Sequence, residues 1–134
     1  MGFPRVIGED YSYPFRNVVS YFEADDATFV NLEGTLTDKG NPADKTYTFR
    51  GSPAYSHILT DNSVEVVTLA NNHSFDYGQA GYDSTRAVLE EAGIPYGERD
   101  SGVNAVSARL FSAAGILPAN CAPTLKNLLL HYRR

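Results

Sequence analysis

The stretch VEVVTLANNHSFDYG, residues 64–78, decides the fold of this chain. Its first half, Val64 to Ala70, is short, apolar and rich in β-branched residues, which is typical of a strand buried on both faces. Its second half, Asn71 to Gly78, changes to polar side chains and a glycine, so the strand ends there in a loop. Strands buried on both faces belong to parallel sheets covered by helices, and the sequence around this stretch should therefore supply those helices.

The flanking residues predict such an alternation. Ala27 to Leu32 (ATFVNL) is a second short apolar run that favours a buried strand. Between the two strands, Pro53 to Thr60 is predicted to be a short helix, with Ser52 as its N-cap and proline at its first position. After the second strand, Gly81 to Ala92 has a helical pattern that ends at Gly93, where a left-handed cap is expected.

The outer segments complete the predicted fold. Tyr13 to Ala24 has apolar residues at helical spacing and is predicted to be a helix, whereas Thr35 to Pro53 is interpreted as a long loop. Pro95 to Gly97 is predicted to start a third strand. This order of elements predicts an α/β fold with parallel β-α-β units joined by right-handed crossovers.

Composition limits the classes of protein to consider. The chain has 134 residues, 43% of them hydrophobic, and a net charge of −5. Its 11 basic residues form no dense patch, so we expect no nucleic-acid partner. The lone cysteine, Cys121, excludes an internal disulfide, and no apolar run is long enough for a membrane segment. From about Ser101 the alternation stops; residues 1–100 are predicted to form one domain and residues 101–134 a divergent segment with helical character.

Two polar clusters follow the two predicted strands directly. Glu33 comes after the first strand, and Asn72 comes after the second. Neighbouring strands lie about 5 Å apart, and ligands of open α/β sheets bind beyond the carboxyl ends of the strands. Glu33 and Asn72 carry hard oxygen donors suited to Mg, Mn, Fe or Zn, and we expect them to converge on a shared ion, on the order of 4–6 Å apart.

A second pair lies within the loop after the second strand. His73 and Asp76 are close enough in sequence for the carboxylate to accept a ring N–H, which would orient the imidazole so that it donates a proton to a leaving oxygen. Each of these residues also has a structural interpretation. Glu33 and Asn72 are common turn residues, His73 could be a surface or capping histidine, and Asp76 could cap the following helix.

The combination of these elements resembles the CapA/PgsA family of capsule synthesis proteins. The resemblance is carried by NLEG at residues 31–34 and ANNHSFDYG at residues 70–78, with agreeing flanks DYSYPF at residues 10–15 and FRG at residues 49–51. It covers about residues 9–97. It implies membership of the calcineurin-like metallophosphoesterase superfamily, whose fold is an α/β/β/α sandwich, and a link to poly-γ-glutamate capsule synthesis.

The resemblance also implies roles for the clusters. Asn72 would be a metal ligand, His73 the proton donor, Asp76 its partner, and Glu33 would take the place of the carboxylate that bridges two metals. Together these residues would form half of a two-metal phosphoesterase site acting on a phosphoester or a polyglutamate-related substrate. Family members are often tethered at the outer face of the bacterial cell membrane by an N-terminal segment, and no such segment is expected from this sequence.

The sequence departs from the family pattern at two places. The family begins with a strand ending in Gly-Asp and later carries a Gly-His-x-His element, and neither has a counterpart here. We therefore expect an incomplete member of the family, with weak metal binding, little phosphatase activity of its own and self-association through exposed sheet edges. The alternatives are a non-catalytic accessory or binding protein of polymer assembly or export, and a decayed remnant.

Overall fold

The structure, a computed structural model, describes residues 7–98. In chain order its elements are α1 (Val19–Phe22), β1 (Phe29–Asn31), β2 (Thr35–Leu36), β3 (Arg50–Gly51), a 3-10 turn (Pro53–Tyr55), α2 (Ser56–Thr60), β4 (Val66–Thr68), α3 (Gly78–Glu91) and β5 (Tyr96–Gly97). Helices lie before, between and after the strands, and the strands pair in parallel. The α/β fold with parallel strands that the sequence predicts is confirmed.

The central sheet has three strands in the order β1-β4-β5. Both pairings are parallel, with Asn31 beside Thr68 and Thr68 beside Gly97. Val66 and Val67 in the middle strand are fully buried, as expected of a strand with a neighbour on each side. Because all three strands run in the same direction, the loops after β1 and β4 leave the sheet at the same edge.

The hydrophobic core lies against this sheet and α3. It contains Leu59, Val64, Val67, Leu69, Tyr82, Leu89 and Ile94. The C-terminus of α3 follows the prediction, because Gly93 adopts a left-handed φ of 71° and the Ile94 N–H donates to Leu89 O at 2.9 Å. The predicted Ser52 cap is confirmed as well, since its side chain accepts from the Ala54 N–H. The C-terminus of α3 and the start of the 3-10 turn before α2 are therefore set by local sequence signals.

The segment predicted to be one long loop contains a second sheet. β2 and β3 pair in parallel, with Thr35 beside Arg50 and Leu36 beside Gly51. The Leu36 N–H also donates to Thr85 Oγ1 at 3.0 Å, which fixes β2 against α3. The backbone groups of β2 and β3 bond to residues distant in sequence. The turn-rich composition of residues 35–53 therefore gave no indication of these two strands. The pairing leaves residues 37–49, which we call the crossing loop, connecting β2 with β3.

The first predicted helix is shorter than expected. The sequence predicts a helix from Tyr13 to Ala24, whereas α1 spans only Val19–Phe22 and the residues before it form successive turns. Pro14 accounts for Tyr13 only, because proline disfavours the helical conformation of the residue before it but is tolerated in the first turn of a helix. The residues after Pro14 form turns closed by i→i−3 hydrogen bonds, such as the one from the Val18 N–H to Phe15 O at 2.8 Å. Phe15 nevertheless packs edge-on against Phe22, with ring centroids 5.3 Å apart. The apolar stripe is therefore partly kept without a continuous helix.

Within residues 7–98 no helix has the length and apolar character needed to cross a membrane. The predicted boundary at residue 100 and the segment 101–134 lie outside the described residues, so the domain division stays a prediction.

Candidate metal and acid–base site

Both polar clusters lie at the carboxyl ends of neighbouring parallel strands. One follows β1, the other follows β4, and Asn71 ties them together. Its Nδ2 donates to Asn31 Oδ1 and to Leu32 O, each at 3.0 Å. Its Oδ1 accepts from the His73 N–H at 2.9 Å, which closes a local turn. Residues 71–77, which we call the site loop, are therefore held against the end of β1.

His73 and Asp76 form the contact that the sequence predicts. His73 Nδ1 lies 2.8 Å from Asp76 Oδ2. Asp76 is fully buried, and the His73 side chain keeps 13% of its surface exposed. An ionised carboxylate only accepts hydrogen bonds, so Nδ1 carries the hydrogen and Nε2 is left on the open side of the ring. The predicted hydrogen bond is confirmed, and the pair has the geometry of a proton donor held by a carboxylate.

The Asp76 carboxylate is surrounded by donors. Burial favours its neutral form and acts to raise its pKa, but the Lys45 ammonium, the Phe49 N–H and His73 outweigh burial and hold the pKa of Asp76 below its ordinary value. Phe49 N–H donates to Oδ2 at 2.5 Å, and Lys45 forms an ion pair with Oδ1. The interpretation of Asp76 as a helix cap is wrong, since Tyr77 takes the N-cap position of α3 and no described side chain caps it.

Glu33 lies at the mouth of the same site. Its side chain is 48% exposed, and Oε1 is 3.7 Å from His73 Nε2. Its other oxygen accepts from Asn31 Nδ2 at 3.2 Å. Asn72 is exposed in the adjoining site loop, where its main-chain carbonyl accepts from Lys45 at 2.9 Å. The structure thus brings Glu33, His73 and Asp76 together, while convergence of the Glu33 and Asn72 side chains on one ion stays a prediction.

The donor set fits a divalent cation in part. Glu33 and Asn72 present hard oxygen donors at one edge of the sheet, which is the chemistry that Mg, Mn, Fe or Zn accepts. Among residues 7–98, however, no group of three or more His, Cys, Asp or Glu side chains could hold a metal ion. The residues present therefore fit such an ion only in part.

Sequence reasoning missed the residues of the crossing loop. Lys45 contacts both Asp76 and the carbonyl of Asn72, and the Phe49 ring lies against the His73 ring with centroids 4.3 Å apart. These contacts join positions that lie between 24 (Phe49 and His73) and 31 (Lys45 and Asp76) apart in sequence. No local pattern signals them, because their partners are specified only once β2 and β3 pair.

A cleft adjoins the site on the side of Glu33 and Phe49. Its volume is about 660 Å³, and Arg50, Tyr55 and Leu59 also line it. Clefts of this size accept small ligands or one segment of a larger one. A substrate group bound there would lie beside the carboxylate of Glu33.

Comparisons with known proteins agree with the sequence pattern. The family described as bacterial capsule synthesis protein PGA_cap matches residues 3–116. A probable polyglutamine synthesis accessory protein, found in two strains of Mycobacterium tuberculosis, is 38% identical over 88 residues, covering 63% of this chain and 23% of the relative. An uncharacterized protein of Sinorhizobium fredii is 31% identical over 117 residues, covering 82% of this chain and 25% of the relative. The chain thus spans about a quarter of the length of these curated relatives, and the family match extends beyond residue 97, where the resemblance was expected to end.

Proposed function

Because this chain belongs to the PGA_cap family of bacterial capsule synthesis proteins, we propose that it acts in poly-γ-glutamate capsule synthesis and supplies part of a metal-dependent phosphoesterase site. The observation that carries this proposal is the His73–Asp76 contact of 2.8 Å, beside Glu33 at the ends of two parallel strands. The substrate class is a phosphoester or a polyglutamate-related intermediate with an activated carboxyl group.

The described residues divide the work of such a site. Glu33 and Asn72 would hold one or two divalent ions, Mn, Fe, Zn or Mg, which polarise a phosphoryl group and lower the pKa of bound water. His73 would give a proton from Nε2 to the leaving oxygen, while Asp76 keeps the hydrogen on Nδ1 and fixes the ring. Two protein oxygens leave most of the coordination to water, so the chain alone is expected to bind metal weakly.

A second candidate function is non-catalytic. The Mycobacterium tuberculosis relative is named an accessory protein of polyglutamine synthesis, and Glu33 and Asn72 are both exposed here. A protein of this kind would bind the growing polymer during assembly or export and would have no turnover. Metal dependence distinguishes the two candidates, because only the enzyme needs the ion for a chemical step.

We expect Glu33→Gln to weaken Mn²⁺ binding by the intact protein at least about tenfold, because it removes an anionic oxygen donor. Mn²⁺ titration followed by electron paramagnetic resonance measures this affinity. Hydrolysis of an aryl phosphate, with and without a chelator, measures the chemical step.

Glu91→Gln is the matched control for this change. Glu91 is also exposed, but it lies at the end of α3 and not among the residues of the site. Equal Mn²⁺ affinity in the Glu33→Gln and Glu91→Gln proteins would remove Glu33 from the metal site. Polyglutamate binding without metal-dependent turnover would favour the accessory function.

A further inference from the structure

We propose that Lys45 is a positioning residue of this site: by joining the main-chain carbonyl of Asn72 to the carboxylate of Asp76, it holds the site loop so that Asn72 and His73 face the same edge of the sheet. The effect of Lys45 on metal binding and catalysis rests on the proposed function. Its effect on the conformation of the site loop rests on contacts that exist whether or not the protein is an enzyme.

Lys45 makes two contacts with the site loop at once. Its Nζ donates to Asn72 O at 2.9 Å and forms an ion pair with Asp76 Oδ1. An ion pair between two exposed side chains contributes little, but here the Asp76 carboxylate is fully buried and the Lys45 side chain is only 34% exposed. Charge-assisted hydrogen bonds in such surroundings are stronger and more sharply directed than those at the surface. The ammonium group therefore fixes the distance between the start and the end of the site loop.

The crossing loop is secured beside Lys45 by contacts of its own. The Phe49 N–H donates to Asp76 Oδ2 at 2.5 Å, and the Ala43 N–H donates to Asp76 O at 2.8 Å. Gly40 approaches the site loop so closely that a Cβ atom there would lie 2.1 Å from Tyr77 O. These contacts all reach the C-terminal half of the site loop. Among the hydrogen bonds and ion pairs that the structure gives for residues 37–49, the bond from Lys45 Nζ is the one that reaches Asn72.

Lys45 acts through other residues and not on the substrate. It is absent from the lining of the cleft beside Glu33, whose described walls come from β2, β3, the 3-10 turn and α2 and from residues next to these elements. Its ammonium group is occupied by the Asn72 carbonyl and the Asp76 carboxylate. A change at Lys45 should therefore alter the placement of Asn72 and His73 while leaving the substrate's own contacts in place.

The test compares Lys45→Met with Lys39→Met in the intact protein. Lys39 lies in the same crossing loop and is exposed, and its hydrogen bonds among residues 7–98 are main-chain bonds with Thr37, so it is a matched control. We expect Lys45→Met to speed hydrogen exchange of the site-loop amides and to weaken Mn²⁺ affinity about 10–100-fold, the usual effect of removing a group that orients a metal ligand. The kcat for an aryl phosphate should fall by a similar factor, with a smaller change in KM.

Two further variants separate positioning from the cost of a buried charge. Lys45→Arg keeps the charge and the donors and is expected to recover most of the Mn²⁺ affinity. The double variant Lys45→Met/Asp76→Asn removes the carboxylate that Lys45→Met would leave without its ion-pair partner. It is expected to regain thermal stability without regaining Mn²⁺ affinity or amide protection. If the double variant also regains Mn²⁺ affinity and amide protection, Lys45 only neutralises a charge, and the proposal is overturned.

The readouts distinguish failure of this inference from failure of the proposed function. If the wild-type protein has metal-dependent turnover and Lys45→Met equals Lys39→Met in every assay, the inference is wrong and the function stands. If the wild-type protein has no metal-dependent turnover but Lys45→Met alone loses amide protection in the site loop, the positioning role stands and the accessory function replaces the enzymatic one.

Discussion

Replacing His73 with alanine is expected to lower the turnover of the intact protein roughly 10²–10⁴-fold, the usual contribution of a general acid. The reason lies in the geometry of the site. Asp76 holds Nδ1 at 2.8 Å, so Nε2 is the nitrogen that can exchange a proton on the open side, next to Glu33. Alanine removes the proton donor while leaving Glu33 and Asn72 in the chain. The loss should therefore fall on kcat measured at saturating Mn²⁺.

His57→Ala serves as the control for this prediction. His57 is exposed on α2, where it stacks on Tyr11 with ring centroids 5.3 Å apart, away from the site loop. Its replacement should leave kcat close to the wild-type value. A His73→Ala protein with wild-type kcat would remove His73 from the mechanism, whatever its effect on stability.

Replacing Asp76 with asparagine is expected to lower the free energy of unfolding at pH 7 by roughly 2–4 kcal/mol, because it breaks a buried, multiply bonded ion pair. Asparagine can still accept the Phe49 N–H, but it cannot compensate the Lys45 ammonium. Chemical denaturation of the two proteins, followed by circular dichroism, measures the difference. The matched control is Asp83→Asn, which alters an exposed carboxylate bonded to Gln79 on α3 and should change stability by no more than about 0.5 kcal/mol.

The pH dependence of this difference has a definite sign. The pKa of Asp76 is lowered in the folded protein from its ordinary value of 3.8, so the folded state binds the proton less readily than the unfolded state. The stabilisation from Asp76 is therefore fully present well above the ordinary pKa and is lost as the pH falls through the folded value. The gap between wild type and Asp76→Asn should narrow below about pH 4. A gap that is constant between pH 7 and pH 3 would contradict the ionised state of Asp76.

Local signals in the sequence were enough to predict several parts of the fold. Ser52 and Gly93 mark helix ends because capping depends only on the residues next to them. The runs around Val30 and Val67 predict parallel strands correctly, because apolar β-branched residues between polar turns favour strands. Only the second of these strands is buried as predicted: in β1, at an edge of the described sheet, Phe29 and Asn31 are exposed and Val30 is partly buried. The His73–Asp76 contact was predictable for the same reason, since it spans a single turn.

The parts that could not be predicted depend on long-range pairing. β2 and β3 are two-residue strands within a turn-rich segment. They form only because each strand supplies the hydrogen-bond partners of the other. Lys45 gives no signal of its own, since its contacts with Asn72 and Asp76 require the crossing loop to lie over the site loop. The resemblance to the capsule synthesis family, which the family match confirms, identified the polar clusters but not the residues that hold them in place.

The parallel pairing of β1 with β4 also governs when the site can form. It joins Phe29 with Val66, so a long stretch of chain must close before any contact in the ladder is made, and such closure slows folding. The site loop leaves the end of β4, and the crossing loop depends on a second parallel pair. Neither loop can dock before the strands have paired. The time that a newly made chain needs to form the site is therefore limited by strand pairing, and any opening of the sheet would also separate the two polar clusters.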